Sequence, residues 1–285
     1  MHPSISLAGG VEMPRCGLGT FKAGGTEVRG AVSAALAAGI RHIDTAAIYK
    51  NEELIAEALW DDARIPRGDV FITSKISPYQ MGRKARQAAE EILQRLRVDF
   101  VDLLLIHWPG ASGLKADSPR NAELRLETWR ALEALKSEGR ARAIGVSNFE
   151  AGHLRQLLDG AREPPAVNQI EVHPRWPQVH LRRACAEAGV AVTAYASLGC
   201  GQLLSEPAVR RAASEAGRSP AQVLLRWGLQ QGCAVIPKSV RPERVREFAP
   251  AALLQGWELS AAQMGALDAL AGDACKFCWD PSNIL

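Results

Sequence analysis

Val101-Asp102-Leu103-Leu104-Leu105-Ile106 is a short, almost continuously apolar run, and an amphipathic stretch separates it from the next such run, at 143–146. A run that is apolar throughout, rather than at alternate positions, is typical of a parallel strand buried on both faces. The stretch 122–136 has apolar residues at helical spacing and ends near Gly139, a residue type that often closes helices. Residues 101–146 therefore predict one strand–helix–strand unit.

The same pattern recurs along the chain, with eight apolar runs separated by stretches of helical periodicity. The runs are 16–19, 42–44, 70–74, 101–106, 143–146, 167–170, 190–194 and 234–237. Eight strand–helix units in one uninterrupted chain predict an α/β fold of the (β/α)8 barrel type. An open, doubly wound sheet is the main alternative.

Local signals support this division into elements. Asn51 followed by two glutamates predicts a helix N-cap with acids in the first turn, and Ser219-Pro220 predicts another helix start. The segment 5–13, with Gly9-Gly10 at its centre, predicts a β-hairpin that could close the base of a barrel.

Composition excludes several classes of protein. The chain has 285 residues, and 34 Lys and Arg against 31 Asp and Glu give a net charge of +3, which excludes a nucleic-acid binder that relies on bulk charge. No apolar run approaches the roughly 18 residues of a membrane span, and no secretory signal is visible. Six cysteines are ordinary for reduced cytosolic thiols. We expect one domain, residues 1–285, in a cytoplasmic monomer without nucleic-acid or membrane partners.

Polar and ionisable side chains stand where the runs end. Asp44 ends the second run and Tyr49 follows it, Lys75 follows the third, and His107 follows the fourth. Active sites of barrels lie at the carboxyl ends of the strands, so these four side chains could converge on one axis.

Their chemistry indicates a proton donor. A Lys ammonium near a Tyr hydroxyl lowers the pKa of the phenol, whereas burial alone raises it. Lys75 would be costly to bury without a carboxylate, which Asp44 supplies. Such a phenol suits protonation of a carbonyl oxygen during reduction, and a ring N–H of His107 could hold that oxygen. Taken singly, each residue has a more common structural role. Asp44 could cap a helix, Lys75 could be a surface charge, Tyr49 could cover an apolar rim, and His107 could be a core histidine. Their joint placement at the strand ends is what favours an active site.

Several longer motifs resemble those of the aldo-keto reductase superfamily. Segment 42–52 is similar to the family's signature around its catalytic Asp and Tyr, Ser74-Lys75 to its lysine, and 105–109 to its histidine motif. The segments 142–149, 168–174, 194–199 and 236–240 complete a match that extends from about Gly17 to Phe248.

The resemblance implies a TIM barrel with a hairpin at its base, and NADPH-dependent reduction of aldehydes and ketones to alcohols. It implies that Tyr49 is the general acid, that Asp44 and Lys75 tune it, and that His107 orients the carbonyl. No G-x-G-x-x-G stands between a strand and a helix, consistent with a cofactor bound without a Rossmann domain. A catalytically silent NADPH-binding scaffold or sensor is the alternative; a barrel that binds flavin or a sugar phosphate is a third hypothesis.

The resemblance also implies the cofactor contacts. Ser147, Asn148 and Gln169 would hold the nicotinamide carboxamide, Tyr195 would stack on its ring, and Ser197, Leu198 and Gly199 would contact the pyrophosphate. Lys238, Ser239 and Arg244 would bind the 2′-phosphate and Glu247 would face the adenine, while Thr20, Asp44 and Val240 complete the set. The clustered charges of Lys238, Arg241 and Arg244 suit a 2′-phosphate, although a basic first turn of a surface helix would look the same.

The predicted substrate contacts are Phe21, Tyr49, His107, Trp108 and Trp279, of which Phe21 and the two tryptophans would form apolar walls. Phe248 stands where many family members have the Asn that follows the adenine-facing Glu. Cys275 and Cys278 lack a second pair of metal ligands, so no metal site is predicted.

Overall fold

The computed structural model describes residues 1–285, which form ten strands and eleven α-helices. The strands are β1 Ser4–Leu7, β2 Val11–Pro14, β3 Leu18–Gly19, β4 His42–Asp44, β5 Phe71–Ile76, β6 Val101–Ile106, β7 Ala141–Ser147, β8 Val167–Glu171, β9 Ala191–Tyr195 and β10 Ala234–Val235. The helices are α1 Gly25–Ala37, α2 Glu52–Ala56, α3 Ala85–Leu96, α4 Arg120–Ser137, α5 Ala151–Leu158, α6 Val179–Glu187, α7 Pro207–Ala216, α8 Pro220–Gln230, α9 Pro242–Glu247, α10 Pro250–Leu254 and α11 Ala261–Asp268.

Strands β3 to β10 form one parallel sheet, in which each strand pairs with the next along the chain. The sheet closes because Cys16, just before β3, bridges Val235 in β10. Across this seam the Gly17 N–H donates to the Val235 carbonyl at 2.9 Å, and the Val235 N–H donates to the Arg15 carbonyl at 2.8 Å. The predicted eight-stranded barrel is confirmed, and the doubly wound alternative is wrong.

The seam requires a glycine at position 19. The Gly19 N–H donates to the Pro237 carbonyl at 3.0 Å. A Cβ atom at this position would lie only 2.6 Å from the Ile236 carbonyl oxygen. Because that neighbour is backbone rather than a movable side chain, only glycine permits this approach.

The N-terminal hairpin fills one end of the barrel. Strand β1 pairs antiparallel with β2, and Gly9 and Gly10 between them have φ angles of 80° and 74°. The buried side chains of Leu7, Val11 and Met13 pack in one cluster with residues from inside the barrel, including Phe71, Leu103 and Val167. The predicted hairpin at the base is confirmed.

Helix starts agree only partly with the sequence signals. Helix α8 begins as predicted, and Ser219 and Gln222 form a reciprocal capping box. Asn51 does precede α2, but its side chain does not cap that helix. Its amide instead donates to the Thr20 and Ala23 carbonyls at 3.0 and 2.9 Å. Its Oδ1 atom, which would have to accept from the helix, accepts from the Thr45 hydroxyl at 2.7 Å. Asn51 therefore occupies the predicted N-cap position, but the expected capping bond from its side chain is absent.

The helices pack around the barrel, and 58 buried apolar residues form the main core. None of the helices combines the length and apolarity that a membrane span needs.

Candidate active site

Asp44 and Lys75 form a buried ion pair inside the barrel. Asp44 ends β4, and Lys75 lies near the end of the neighbouring strand β5. Lys75 Nζ donates to Asp44 Oδ1 at 2.7 Å and to the Thr45 carbonyl at 2.8 Å, and the lysine side chain is completely buried. Burial lowers the pKa of Lys75, whereas the Asp44 carboxylate opposes that shift. The pair therefore holds a compensated charge at the carboxyl end of the strands.

Tyr49 and His107 lie beside this pair. Tyr49 ends a 3₁₀ turn, Ala47–Tyr49, directly after β4. Its hydroxyl is 3.5 Å from His107 Nε2, and Lys75 Nζ lies 5.2 Å from the centre of its ring. The structure thus brings the four predicted catalytic side chains together.

The pKa of Tyr49 is shifted in the direction opposite to the sequence expectation. Burial raises it well above its usual value, and the negative charges on Asp44 and on the thiolate form of Cys278 add to the rise. The Lys75 ammonium does not reverse the shift because Asp44, 2.7 Å away, offsets its charge. The expected lowering of the Tyr49 pKa is therefore wrong, and Tyr49 is a protonated phenol at neutral pH.

His107 is a neutral imidazole in this environment. Burial, followed by the nearby Lys75 ammonium, lowers the pKa of His107 to about 3. Its Nδ1 atom is buried and has no hydrogen-bond partner. We assign the single ring proton to Nε2, which faces the Tyr49 hydroxyl, because an N–H at Nδ1 would be left without an acceptor.

A chain of polar side chains continues from Asp44 across the neighbouring strand ends. Gln169 Nε2 donates to Asp44 Oδ2 at 2.7 Å, and the Ser147 hydroxyl donates to the Gln169 carbonyl at 2.8 Å. Asn148 Nδ2 donates to the His107 carbonyl at 3.0 Å, and Asn148 Oδ1 accepts from the Tyr195 hydroxyl at 2.6 Å. The residues predicted to hold the nicotinamide therefore form one network with the predicted catalytic residues.

Thr20, which also belongs to the predicted cofactor set, supports the end of β4. Its backbone N–H and its hydroxyl both donate to the Asp44 carbonyl, at 3.1 and 2.9 Å.

The loop after β9 presents unpaired backbone donors. The backbone N–H groups of Ser197 and Leu198 make no hydrogen bond within the chain. Gly199 has a φ angle of 56° and begins the 3₁₀ segment Gly199–Ser205. Unpaired N–H groups in a left-handed turn suit an anionic oxygen.

The segment before and within α9 is strongly basic. Lys238, Arg241 and Arg244 are exposed, and none of them forms an ion pair within the chain. Between them, Ser239 Oγ accepts from the Arg241 N–H at 3.1 Å, and Val240 is half-buried. Three uncompensated cations within seven residues suit an anionic group such as a phosphate.

Two neighbours of the basic segment are engaged elsewhere. The Glu247 carboxylate accepts a hydrogen bond from the Ser219 hydroxyl at the start of α8. Phe248 is 2% exposed and packs in the main core, so it is a structural residue at this position.

Aromatic rings border the opening of the site. The Phe21 ring lies 5.1 Å from the Tyr49 ring and 6.1 Å from the Trp279 ring. Trp279 is 69% exposed, so the wall it forms with Phe21 is open to solvent. Trp108, directly after His107, is half-buried.

Sequence reasoning assigned no role to Glu171, which the structure places close to this opening. Glu171 ends β8, is completely buried, and binds the backbone of the C-terminal tail at Phe277 and Cys278. The only sequence signal was a glutamate at the end of an apolar run, because its partners in the tail are more than 100 residues away.

The Aldo/keto reductase family model matches residues 15–271 of this chain. The chain belongs to the aldo/keto reductase family. It is 43% identical to the glyoxal reductase of Bacillus subtilis over 275 residues, which cover 96% of this chain and 94% of that protein. A solved aldo-keto reductase from a deep-sea metagenome library has a TM-score of 0.89 at 35% identity and covers 99% of both chains. An aldo/keto reductase from Brucella melitensis has a TM-score of 0.86 at 37% identity, covering 95% of this chain and all of that one.

Membership of the aldo/keto reductase family makes this protein an oxidoreductase, and the family generally reduces carbonyl groups with NAD(P)H. The residues present fit such a cofactor. The unpaired N–H groups of Ser197 and Leu198 and the uncompensated charges of Lys238, Arg241 and Arg244 match its phosphates.

Proposed function

We propose that this aldo/keto reductase uses NADPH to reduce small aldehydes and ketones to alcohols, with Tyr49 as the general acid. The observation that carries the proposal is the Tyr49 hydroxyl, placed 3.5 Å from a neutral His107 and next to the buried Asp44–Lys75 pair. A protonated phenol and a neutral ring N–H can both donate to one carbonyl oxygen.

The raised pKa of Tyr49 keeps its proton in place until a substrate arrives. The chemistry that NADPH would supply when bound is the hydride that the carbonyl carbon accepts. As negative charge develops on the carbonyl oxygen, Tyr49 donates its proton and His107 Nε2 holds the oxygen in position. The phenolate that remains lies beside the Asp44–Lys75 pair, with Lys75 Nζ 5.2 Å from the centre of its ring.

Cofactor binding is assigned to the network and to the phosphate donors. Ser147, Asn148 and Gln169 would hold the carboxamide, and Tyr195 would stack on the nicotinamide. The backbone of Ser197, Leu198 and Gly199 would contact the pyrophosphate, with the N–H groups of Ser197 and Leu198 as the donors, because the Gly199 N–H already donates to the Ala196 carbonyl at 2.7 Å. Lys238, Ser239 and Arg244 would bind the 2′-phosphate, with Val240 and Glu247 nearby, so NADPH is preferred over NADH.

Small dicarbonyl compounds are the first substrates to test. The Bacillus subtilis relative that is 43% identical is a glyoxal reductase. The aromatic wall of Phe21 and Trp279 is open to solvent. It suits substrates whose apolar substituent on the carbonyl carbon is compact or flat.

The decisive experiment follows NADPH oxidation by absorbance with glyoxal and a panel of aldehydes and ketones. Tyr49→Phe should lower kcat by about 10²- to 10⁴-fold while the Kd for NADPH stays unchanged. Tyr79→Phe is the matched control, because Tyr79 is 66% exposed and outside the catalytic set. Full activity of Tyr49→Phe would show that another group donates the proton. Tight NADPH binding without turnover of any carbonyl would favour the silent scaffold.

We also propose that residues 1–285 act as one domain in a cytoplasmic monomer. Sedimentation equilibrium should give the monomer mass of 30.7 kDa, and twice this mass would contradict the proposal.

A further inference from the structure

One carboxylate, that of Glu171, binds the middle of the C-terminal tail after α11 at the barrel mouth. Glu171 Oε1 accepts from the Phe277 N–H at 2.6 Å, and Glu171 Oε2 accepts from the Cys278 N–H at 3.2 Å. Lys276 Nζ lies 3.4 Å from Oε2. Three successive tail residues thus bind a single side chain that is completely buried at the end of β8.

No other barrel group holds the backbone N–H groups of this part of the tail. The Cys275 N–H donates to the Arg175 carbonyl at 3.1 Å, and the Leu285 N–H donates to the Ala116 carbonyl at 2.9 Å. Between these two points, the tail has no N–H bond to the barrel except those to Glu171. Nearer the C-terminus, the Ile284 carbonyl accepts from His153 Nε2 at 2.7 Å. The backbone of residues 276–279 therefore depends on this carboxylate, together with the packing of the Phe277 ring, for its position.

The four contacts require a carboxylate rather than an amide. Glu171 Oε1 also lies 3.1 Å from His173 Nε2, so each oxygen faces two donors. A glutamine has one acceptor oxygen, and its NH₂ group would face donors on the other side. These donors outweigh the effect of burial and lower the pKa of Glu171, so it is ionised at neutral pH.

The anchored segment leads directly into the wall of the site. Phe277 packs on the His173 ring, with ring centres 5.0 Å apart, and Trp279 follows Cys278 and lies 6.1 Å from Phe21. On its other side, Glu171 pairs in register with Tyr195, the proposed platform for the nicotinamide. Glu171 therefore connects the cofactor side of the mouth to the aromatic wall.

We propose that Glu171 is a positioning residue that fixes the tail through the Phe277 and Cys278 N–H groups and so places Trp279 against Phe21. By this means it determines the selectivity for carbonyl substrates whose apolar part reaches the wall. The inference rests on the proposed reductase function for its substrate consequence, but not for the anchoring itself.

Glu171→Gln tests the substrate consequence, with benzaldehyde as a substrate that reaches the wall and glyoxal as one that does not. For Glu171→Gln we expect the KM for benzaldehyde to rise about tenfold with kcat within about twofold, because only binding to the wall is lost. The KM for glyoxal and the Kd for NADPH should change less than about twofold. An equal loss of kcat with both substrates would overturn the proposal.

Glu133→Gln is the matched control. Glu133 is also buried and also binds two consecutive backbone N–H groups, those of Arg162 and Glu163 at 2.6 and 3.2 Å, but these precede β8 at the opposite end of the barrel. It should leave both KM values unchanged. If it shifts the KM for benzaldehyde as Glu171→Gln does, the effect is general destabilisation and the proposal fails.

A double-mutant cycle with Trp279→Ala tests the route of the effect. Trp279→Ala alone should raise the KM for benzaldehyde, and Glu171→Gln should add nothing in that background if it acts through Trp279. Additive effects would refute the route. Lys276→Met is a second variant, and it should keep the fold because Lys276 is partly exposed. It removes one of the four contacts to Glu171, so the KM for benzaldehyde should rise about two- to threefold.

Limited digestion with trypsin tests the anchoring without any turnover. Lys276 is only 12% exposed, so cleavage after it should be slow in the wild type and several times faster in Glu171→Gln, with residues 277–285 released and detected by mass spectrometry. Unchanged cleavage would refute the anchoring. If the wild type reduces no carbonyl with NADPH, the proposed function fails, whereas the digestion still decides whether Glu171 holds the tail.

Discussion

Replacing Lys75 with Met removes the positive half of the buried pair and keeps most of the apolar stem. The variant loses the hydrogen bonds from Nζ to Asp44 Oδ1 and to the Thr45 carbonyl. Asp44, whose side chain is 3% exposed, then keeps only Gln169 as a side-chain partner. Breaking a buried pair from one side costs about 3–5 kcal/mol, because the remaining charge is neither solvated nor compensated.

Urea denaturation followed by circular dichroism measures this loss directly. In a thermal melt of a chain of this size, the same loss of about 3–5 kcal/mol lowers Tm by roughly 6–10 °C. Turnover with NADPH should also fall below detection, because the Asp44 carboxylate beside Tyr49 is left without its Lys75 partner and opposes the negative charge that develops on the phenol oxygen.

The double variant Asp44→Asn with Lys75→Met separates stability from catalysis. With both charges removed, no uncompensated ion is buried, so the free energy of unfolding should return to within about 1–2 kcal/mol of the wild type. Turnover should not return. A single Lys75→Met variant as stable as the wild type, or a double variant no more stable than the single one, would refute this account of the pair.

Three further outcomes follow from the same geometry. The pKa of His107 is about 3 in the fold and about 6.5 in an unfolded chain. Between these values only the unfolded state binds the proton, so the free energy of unfolding falls as pH drops from about 6.5 to about 3. The urea midpoint of His107→Gln should depend less on pH in this range than that of the wild type, and equal slopes would contradict the assignment. Arg244→Ala should raise the Kd for NADPH about tenfold and leave that for NADH unchanged in fluorescence titrations, whereas equal weakening of both would remove the phosphate assignment. Gly19→Ala should cost about 2 kcal/mol or more in thermal unfolding, since its Cβ would lie 2.6 Å from the Ile236 carbonyl, whereas Gly30→Ala, in open space on α1, should stabilise by about 0.5–1 kcal/mol.

The barrel could be predicted, and so could the clustering of Asp44, Tyr49, Lys75 and His107 at one end of it, because both depend on short-range patterns. Apolar runs and helical spacing locate the strands, and the carboxyl end of each strand carries its functional side chain within a few residues. Asp44 and Lys75 could therefore be paired from their positions on neighbouring strands, and the structure places them 2.7 Å apart.

The predictions that were wrong or missing concern interactions that the local sequence does not encode. Asn51 has the sequence context of a cap, yet the loop after β3 binds its amide. The direction of the Tyr49 pKa depends on how far Asp44 offsets the Lys75 charge, which is a matter of distance rather than of residue type. Glu171 meets Phe277 across more than 100 residues, and no spacing rule connects them.

The seam of the barrel has a consequence for how the chain acquires its fold. It joins residues 15–19 to residues 235–237, whereas every other pair of barrel strands consists of sequence neighbours. Closing so long a loop costs the most entropy, so the seam is expected to form last. During synthesis the strands can add one by one to a curled ribbon, but the cylinder cannot close until residue 235 has left the ribosome.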